Sequence, residues 1–463
     1  MDSPLHASDK LRLVYLELTN RCNVRCVYCP QSQPSSIDRV DFPKDRIPEL
    51  ITEFKSRGLT YIRLSGIGET TILKDWMGIC EQFLEAGFDL EIVSNLAKRL
   101  SPEEILMLCR FKKIFISIDT TDPEDFAQLK RNAKLDQVVQ NTKAIISTAE
   151  ENHLDKPYLL MSIVASDKII FQIEKTVADA VEMGIDDIYI NDLRPYPDVE
   201  GACKVRPFWT LPLDQVRHAN TLLDSAIKSA QKAGIATSIT PRLRQNIDNA
   251  ISHSEADDSY LTPPGRGETR FCFDPWDSAV FNADGTVSPC CLFPVIYGDV
   301  QEQSLEEILD GDHAIQLRKE LLTGKLSTLC ATCNLRSITP IEDLTKAISA
   351  RLFMNSEGRL ASLINPQVPA WKDRRLLIYG AGGHTQTLFQ ETDIALAHPL
   401  GILDKNARQL GASLCGIPIY PPEAIGDLRP DLILISSFAY QEEIHQELQP
   451  LAASGIEIRK IYT

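Results

Sequence analysis

The chain has 463 residues, 43% hydrophobic and 24% charged, an ordinary globular composition with enough material for roughly two to four domains. Lys and Arg total 48 against 64 Asp and Glu, and the formal net charge of −16 argues against nucleic acid and membrane as partners, since it repels phosphate backbones and anionic lipid. No apolar run approaches the roughly 18 residues of a membrane span, and the opening MDSPLHASDKLRL lacks the apolar core of a signal peptide, so the expected compartment is cytoplasmic.

From residue 11 to 195 short apolar strands alternate with amphipathic helices. Strands are predicted at Leu13–Leu18, Tyr61–Leu64, Leu90–Ser94, Ile114–Ile118, Leu159–Val164 and Asp187–Ile190. Helices fall between them at Asp45–Ser56, Trp76–Ala86, Pro102–Cys109, Leu135–Glu150 and Ile170–Met183. Six β/α units in a row predict an α/β fold, a partial (β/α)6 TIM-type barrel with its chemistry at the strand ends. Residues 196–270 hold one helix around Leu213–Ala233 and the polar loop Asp257–Glu268. A small α+β extension follows: a hairpin (Ala279–Phe281, turn Ala283–Gly285, Val287–Pro289) and the helix Leu305–Leu322. After a helix at Ile341–Phe353 and a linker with Pro366 and Pro369, the β/α pattern restarts at Leu376–Tyr379, Gly401–Leu403, Leu432–Ile435 and Glu457–Ile461. The expected division is a barrel over 1–250, a cluster-binding extension over 251–353, a linker over 354–373 and a further domain over 374–463.

Twelve cysteines without an export signal point to metal or redox chemistry rather than disulfides. Directly after the first strand, Cys22, Cys26 and Cys29 stand at C-x3-C-x2-C. Three thiolates at that spacing hold three corners of a [4Fe–4S] cube and leave the fourth iron open. Zinc is the alternative, but a structural zinc site closes with four ligands and no fourth Cys or His lies nearby.

This motif resembles that of the radical S-adenosylmethionine (SAM) superfamily. The resemblance implies that the open iron chelates SAM, and that its reductive cleavage yields a 5′-deoxyadenosyl radical that abstracts a hydrogen atom. Tyr28 resembles the aromatic residue that lies against adenine. Ser65-Gly66-Ile67-Gly68-Glu69-Thr70 is similar to the family's Gly-Gly-Glu-Pro loop, with Ile67 interposed and Thr70 in place of proline. Glycines there permit close backbone approach to the SAM ammonium. By the same resemblance Ser94-Asn95 form the next strand-end turn, Ser117 and Asp119 meet ribose and methionine, and Arg131 meets the SAM carboxylate. Alone, each of these residues is as readily a turn or a cap; together they recur in register at successive strand ends.

Cys272, Cys290, Cys330 and Cys333 form a second group, with Cys291 a spare. With Asp284-Gly285 and Gly298-Asp299, the segment resembles the SPASM/twitch extension of radical SAM enzymes. That implies a second, auxiliary [4Fe–4S] cluster, fully ligated and suited to electron transfer; a zinc ribbon or a structural role is the alternative.

Tyr379-Gly380-Ala381-Gly382-Gly383-His384 follows a strand and opens a helix, like the first turn of a nucleotide-binding Rossmann unit, with Asp404 near the position of a ribose-binding acid. A Rossmann-like three-layer domain is therefore expected, with Gly380, Gly382, Gly383 and Asp404 as a nucleotide-like site; a docking or dimerisation domain is the alternative. His384 is expected to bond at the helix start. Cys203, after the sixth strand, is a candidate hydrogen-atom donor, and Arg194 and Tyr196 are candidate contacts to adenine or substrate.

The expected function is that of a radical SAM oxidoreductase or epimerase, acting on a small-molecule substrate, most readily a carbohydrate or nucleotide-linked sugar, with a flavodoxin or ferredoxin as electron donor. A ribosomal peptide maturase and a non-catalytic metal-binding module are the alternatives.

Overall fold

The computed structural model describes residues 4–7, 10–32, 38–193, 205–252, 263–291, 295–333, 336–355, 359–405, 407, 413–437, 441–452 and 455–462. The chain forms two compact units that divide between Ile341 and Glu342. Among the described residues no helix is long and apolar enough to cross a membrane.

The first unit is built on a 10-stranded sheet. Its strands are β1 (Leu13–Leu16), β2 (Tyr61–Leu64), β3 (Asp89–Ser94), β4 (Lys113–Ser117), β5 (Tyr158–Ala165), β6 (Asp187–Asp192), β7 (Ala236–Ile239), β8 (Ser278–Phe281), β9 (Thr286–Ser288) and β10 (Gly298–Asp299). From β1 through β7 each strand pairs parallel with its successor. Buried and half-buried residues alternate along them, so Ile62, Leu90, Ile92, Ile114 and Ile116 share one face and Arg63, Glu91 and Phe115 the other. That second face is polar: the Arg63 Nε donates to Glu91 at 2.7 Å, and the guanidinium lies 4.5 Å from the Phe115 ring centre. Helix starts follow their local chemistry, as where Ser101 and Glu104 form a capping box ahead of Pro102–Cys109.

Four expectations need correction. The parallel series has a seventh unit, β7 followed by the helix Pro241–Ser252, in the stretch expected to hold a single helix and a loop. β7 reads Ala-Thr-Ser-Ile, short, half polar and with no buried residue, and so gives only a weak apolar signal. The hairpin β8–β9 joins the barrel sheet, because β8 pairs parallel with β1. The extension therefore shares a compact unit with the barrel, and no division falls at residue 250.

The helix expected over Leu305–Leu322 is two, Leu305–Leu309 and Asp312–Thr323, with extended Gly311 between them. A Cβ at Gly311 would lie 2.9 Å from the Glu307 carbonyl. The second of these helices carries Arg318, whose side chain is wholly buried. It donates to the Pro275 carbonyl at 2.9 Å, the Leu309 carbonyl at 2.6 Å and Asp310 Oδ1 at 2.9 Å. Arg318→Ala takes this buried donor away from the Pro275 and Leu309 carbonyls and breaks its ion pair with Asp310, and is expected to cost about 3–5 kcal/mol of stability, read as a lower urea midpoint under anaerobic conditions.

The fourth correction concerns 354–373, which is not a linker. Helices Arg359–Ile364 and Val368–Trp371 place Leu360, Ile364, Val368 and Trp371 in the core of the C-terminal unit. Pro369 sits in the first turn of its helix, where proline is tolerated, so the two prolines are a poor guide there.

In that unit β11 (Leu376–Tyr379), β12 (Gly401–Leu403), β13 (Ile417–Tyr420), β14 (Leu432–Ile435) and β15 (Glu457–Lys460) lie parallel in the order β13-β12-β11-β14-β15, beside a short antiparallel edge strand. Leu376, Ile378, Leu432 and Leu434 enter one core, and Leu377, Tyr379, Ile433 and Ile435 another. Both faces of this sheet are therefore covered, and the order reverses between β11 and β14.

Candidate functional site

The loop after β1 carries Cys22, Cys26 and Cys29. It is fixed by Cys29 N donating to Cys26 O at 3.1 Å and Ser32 Oγ to the same carbonyl at 2.6 Å. The pair Arg25–Cys26 forms a short antiparallel ladder with Lys130–Arg131. Two donors face the Cys22 sulfur, Val24 N at 3.4 Å and Asn95 Nδ2 at 3.7 Å, as suits a thiolate. Burial pushes the Cys22 thiol up to about 12 and Cys29 up to about 11, and raises Cys26 as well. Unliganded thiolates are costly there; a bound cluster supplies the missing positive charge.

The strand ends beside this loop are tied to one another. Buried Glu69 accepts from Thr71 N and Oγ1, from Ser94 Oγ at 2.8 Å and from Asn95 N at 2.7 Å. The glycine loop and the β3 turn therefore form one hydrogen-bonded unit. Asp119 is likewise buried: Oδ1 accepts from Val164 N at 3.0 Å and Oδ2 from the Tyr28 hydroxyl at 2.5 Å. Ser117 ends β4, half-buried. Arg131 is exposed, its Nε donating to the Arg25 carbonyl at 3.1 Å.

Two residues in this region escaped the sequence reading. Glu17 is buried; Oε1 accepts from Ile67 N at 2.5 Å and Gly68 N at 3.2 Å, and Oε2 from Ala283 N at 3.1 Å. It links the glycine loop to the β8–β9 turn, and its pKa is raised by burial against the pull of those N–H groups. The available signal was a charged residue just past an apolar strand. The other is Lys130, a buried cation overlooked beside the more familiar Arg131.

Close packing explains the glycines. A Cβ on Gly66 would stand 2.1 Å from Glu17 Oε1, and one on Gly68 would stand 2.0 Å from the Thr19 carbonyl. Gly68→Ala is expected to displace the loop and weaken SAM binding at least tenfold, about 1.4 kcal/mol, in anaerobic calorimetry.

Cys272, Cys290, Cys330 and Cys333 line one cavity, with about 450 Å³ of empty space partly open to solvent. Arg270 closes one side through its Nε donating to the Cys330 carbonyl at 3.3 Å, and Arg336 pairs with Asp274 at 2.6 Å. Burial raises the Cys272 thiol well above its ordinary value and takes Cys330 up to about 11. Cys291 is exposed. Among the described residues no three His, Cys, Asp or Glu groups converge tightly enough to hold a single metal ion. A cube does not require that convergence, since each thiolate seats on a different iron.

In the C-terminal unit Gly380 has φ +109° and a virtual Cβ 2.9 Å from the Ser436 carbonyl, so glycine is needed. Gly382 and Gly383 open onto free space at the start of the helix Gly383–Glu391. Asp404, expected on a ribose, accepts from Ala381 N at 2.8 Å and so braces the glycine loop. His384 bonds Ser436 Oγ at 2.8 Å and the Tyr462 hydroxyl at 2.6 Å, and burial lowers its pKa to about 4. Cys203, Arg194 and Tyr196 lie outside the described residues.

Residues 16–154 match the radical SAM superfamily model, 272–334 the SPASM iron–sulfur cluster-binding domain, and 372–462 a "C2185-like, N-terminal" model. The AdoMet-dependent heme synthase of Methanosarcina barkeri is 26% identical over 344 residues, 72% of this chain and 93% of that protein. A GTP 3′,8-cyclase of Limosilactobacillus fermentum is 30% identical over 148 residues, 31% of this chain and 43% of that protein. Among solved structures, SuiB of Streptococcus suis bound to S-adenosylmethionine superposes with a TM-score of 0.52 at 15% identity, over 71% of this chain and 72% of that one. The likeness to SuiB is one of fold.

Proposed function

This chain belongs to the radical SAM superfamily and carries a SPASM iron–sulfur domain, and we propose that it abstracts a hydrogen atom from a substrate carbon and then either oxidises that carbon, with the second cluster as electron acceptor, or epimerises it, with a thiol returning a hydrogen atom. SAM and two iron–sulfur clusters are its cofactors. When bound, the first cluster and SAM supply a deoxyadenosyl radical that takes a hydrogen atom from the substrate.

The remaining roles belong to the chain's own side chains. Cys22, Cys26 and Cys29 would hold the first cluster, and the loop Gly66–Glu69, braced by Glu17, offers backbone carbonyls to the SAM ammonium. Glu69 holds Ser94 and Asn95 in place at the next strand end, and Ser117 and Asp119 stand at the one after, with Asp119 fixing the Tyr28 hydroxyl. Arg131, exposed and opposite Arg25 in the short ladder, is the candidate partner of the SAM carboxylate. Cys272, Cys290, Cys330 and Cys333 would close the second cluster, and their single cavity is the observation that carries the oxidative reading. Four thiolate ligands leave no iron for substrate, so electron transfer is the chemistry left to it.

For the substrate, we take a carbohydrate or nucleotide-linked sugar. Support comes from the C-terminal sheet, whose reversing strand order and open Gly382–Gly383 helix start are those of a Rossmann-like nucleotide site. Full-length enzyme supplied with reductant, SAM and deuterated nucleotide sugars is expected to carry deuterium into 5′-deoxyadenosine. Deuterium transfer from a precursor peptide, with none from any sugar, would replace this substrate class with the maturase alternative.

A further inference from the structure

Lys130 is 3% exposed, a costly setting for an ammonium that reaches no solvent. In the short ladder it is the register partner of Cys26. Residues facing each other across an antiparallel pair project to the same side, with Cβ atoms about 4.5–5.5 Å apart. The ammonium lies 3.2 Å from Asp119 Oδ2, donates to the Tyr28 hydroxyl at 3.2 Å and sits 5.8 Å from the centre of that ring. Burial opposes the charge, and the Asp119 carboxylate at ion-pair distance offsets that cost.

We propose that Lys130 is a positioning residue that tunes the first cluster: its ammonium, locked beside Cys26 by Asp119 and Tyr28, raises the cluster's reduction potential. A cube with thiolate ligands becomes more negative on reduction, and a cation held nearby in low dielectric favours that state. The neighbouring Arg131 is exposed, and its charge is largely screened by water. Asp119 acts against Lys130, because its negative charge belongs to the same buried group. Removing the cation and removing the anion therefore shift the potential in opposite directions, which a purely structural role for the pair does not produce.

The inference rests on Cys26 ligating the first cluster. It is tested by redox titration of the full chain, followed by electron paramagnetic resonance, in a Cys330→Ala/Cys333→Ala background where only the first cluster contributes. Lys130→Met is expected to lower the potential, Asp119→Asn to raise it, and Lys130→Arg to stay near the parent. If Lys130→Met does not assemble a cluster, Asp119→Asn and Lys130→Arg still decide the matter. No shift in Asp119→Asn, or shifts of the same sign in Asp119→Asn and Lys130→Met, overturns the proposal. Persistence of the same signal in Cys26→Ala instead overturns the ligand assignment beneath it.

Discussion

Cys26→Ala, purified without oxygen, is expected to lose all reductive cleavage of SAM while keeping about half of the iron of the parent protein. The parent is expected to hold about eight irons per chain, roughly four on each set of cysteines. The basis is the separation of ligands: Cys22, Cys26 and Cys29 occupy the loop after β1, whereas Cys272, Cys290, Cys330 and Cys333 share a cavity of their own. The loss of activity should be complete because no other cysteine is available at that loop, and a two-thiolate site does not hold the cube. Iron analysis and release of 5′-deoxyadenosine measure the two halves of this expectation. Retention of SAM cleavage, or loss of all the iron, runs against it.

The complementary variant separates the two roles. Cys330→Ala or Cys333→Ala is expected to keep reductive SAM cleavage and to lose product formation at least a hundredfold, about 2.7 kcal/mol in transition-state terms. On the proposed oxidative reading, the substrate radical would then have no place to leave its electron, and abstraction would not lead to product. Deoxyadenosine release should then run uncoupled from product. Unchanged turnover in a variant shown to lack the second cluster would remove the electron-acceptor role and leave only a structural one.

Much of the first unit was legible because its signals are local. Apolar strands such as Tyr61–Leu64 and the capped helix Pro102–Cys109 fall where they were expected. The C-x3-C-x2-C spacing is a short-range feature, as is the Cys330-Ala-Thr-Cys333 pair. What escaped was long-range. β7 is four residues long, half of them polar and none buried, and its place is set by pairing with β6 rather than by its own composition. The union of hairpin and barrel depends on β8 meeting β1 across more than 260 residues of sequence, a register no local pattern encodes. The roles of Glu17 and Lys130 depend on partners far along the chain, Ala283 for one and Asp119 with Tyr28 for the other. The helices within 359–371 were obscured by Pro366 and Pro369, although Leu360, Ile364, Val368 and Trp371 already stood at helical spacing.

The central claim, one SAM-responsive cluster and one fully ligated cluster in a single enzyme, is tested most directly by electron paramagnetic resonance of the reduced protein before and after SAM is added. Two signals are expected, of which one changes on SAM addition and the other stays as it was, with 5′-deoxyadenosine and methionine released in equal amounts. A spectrum in which neither signal responds, or protein that carries zinc in place of the second set of iron, would contradict the account.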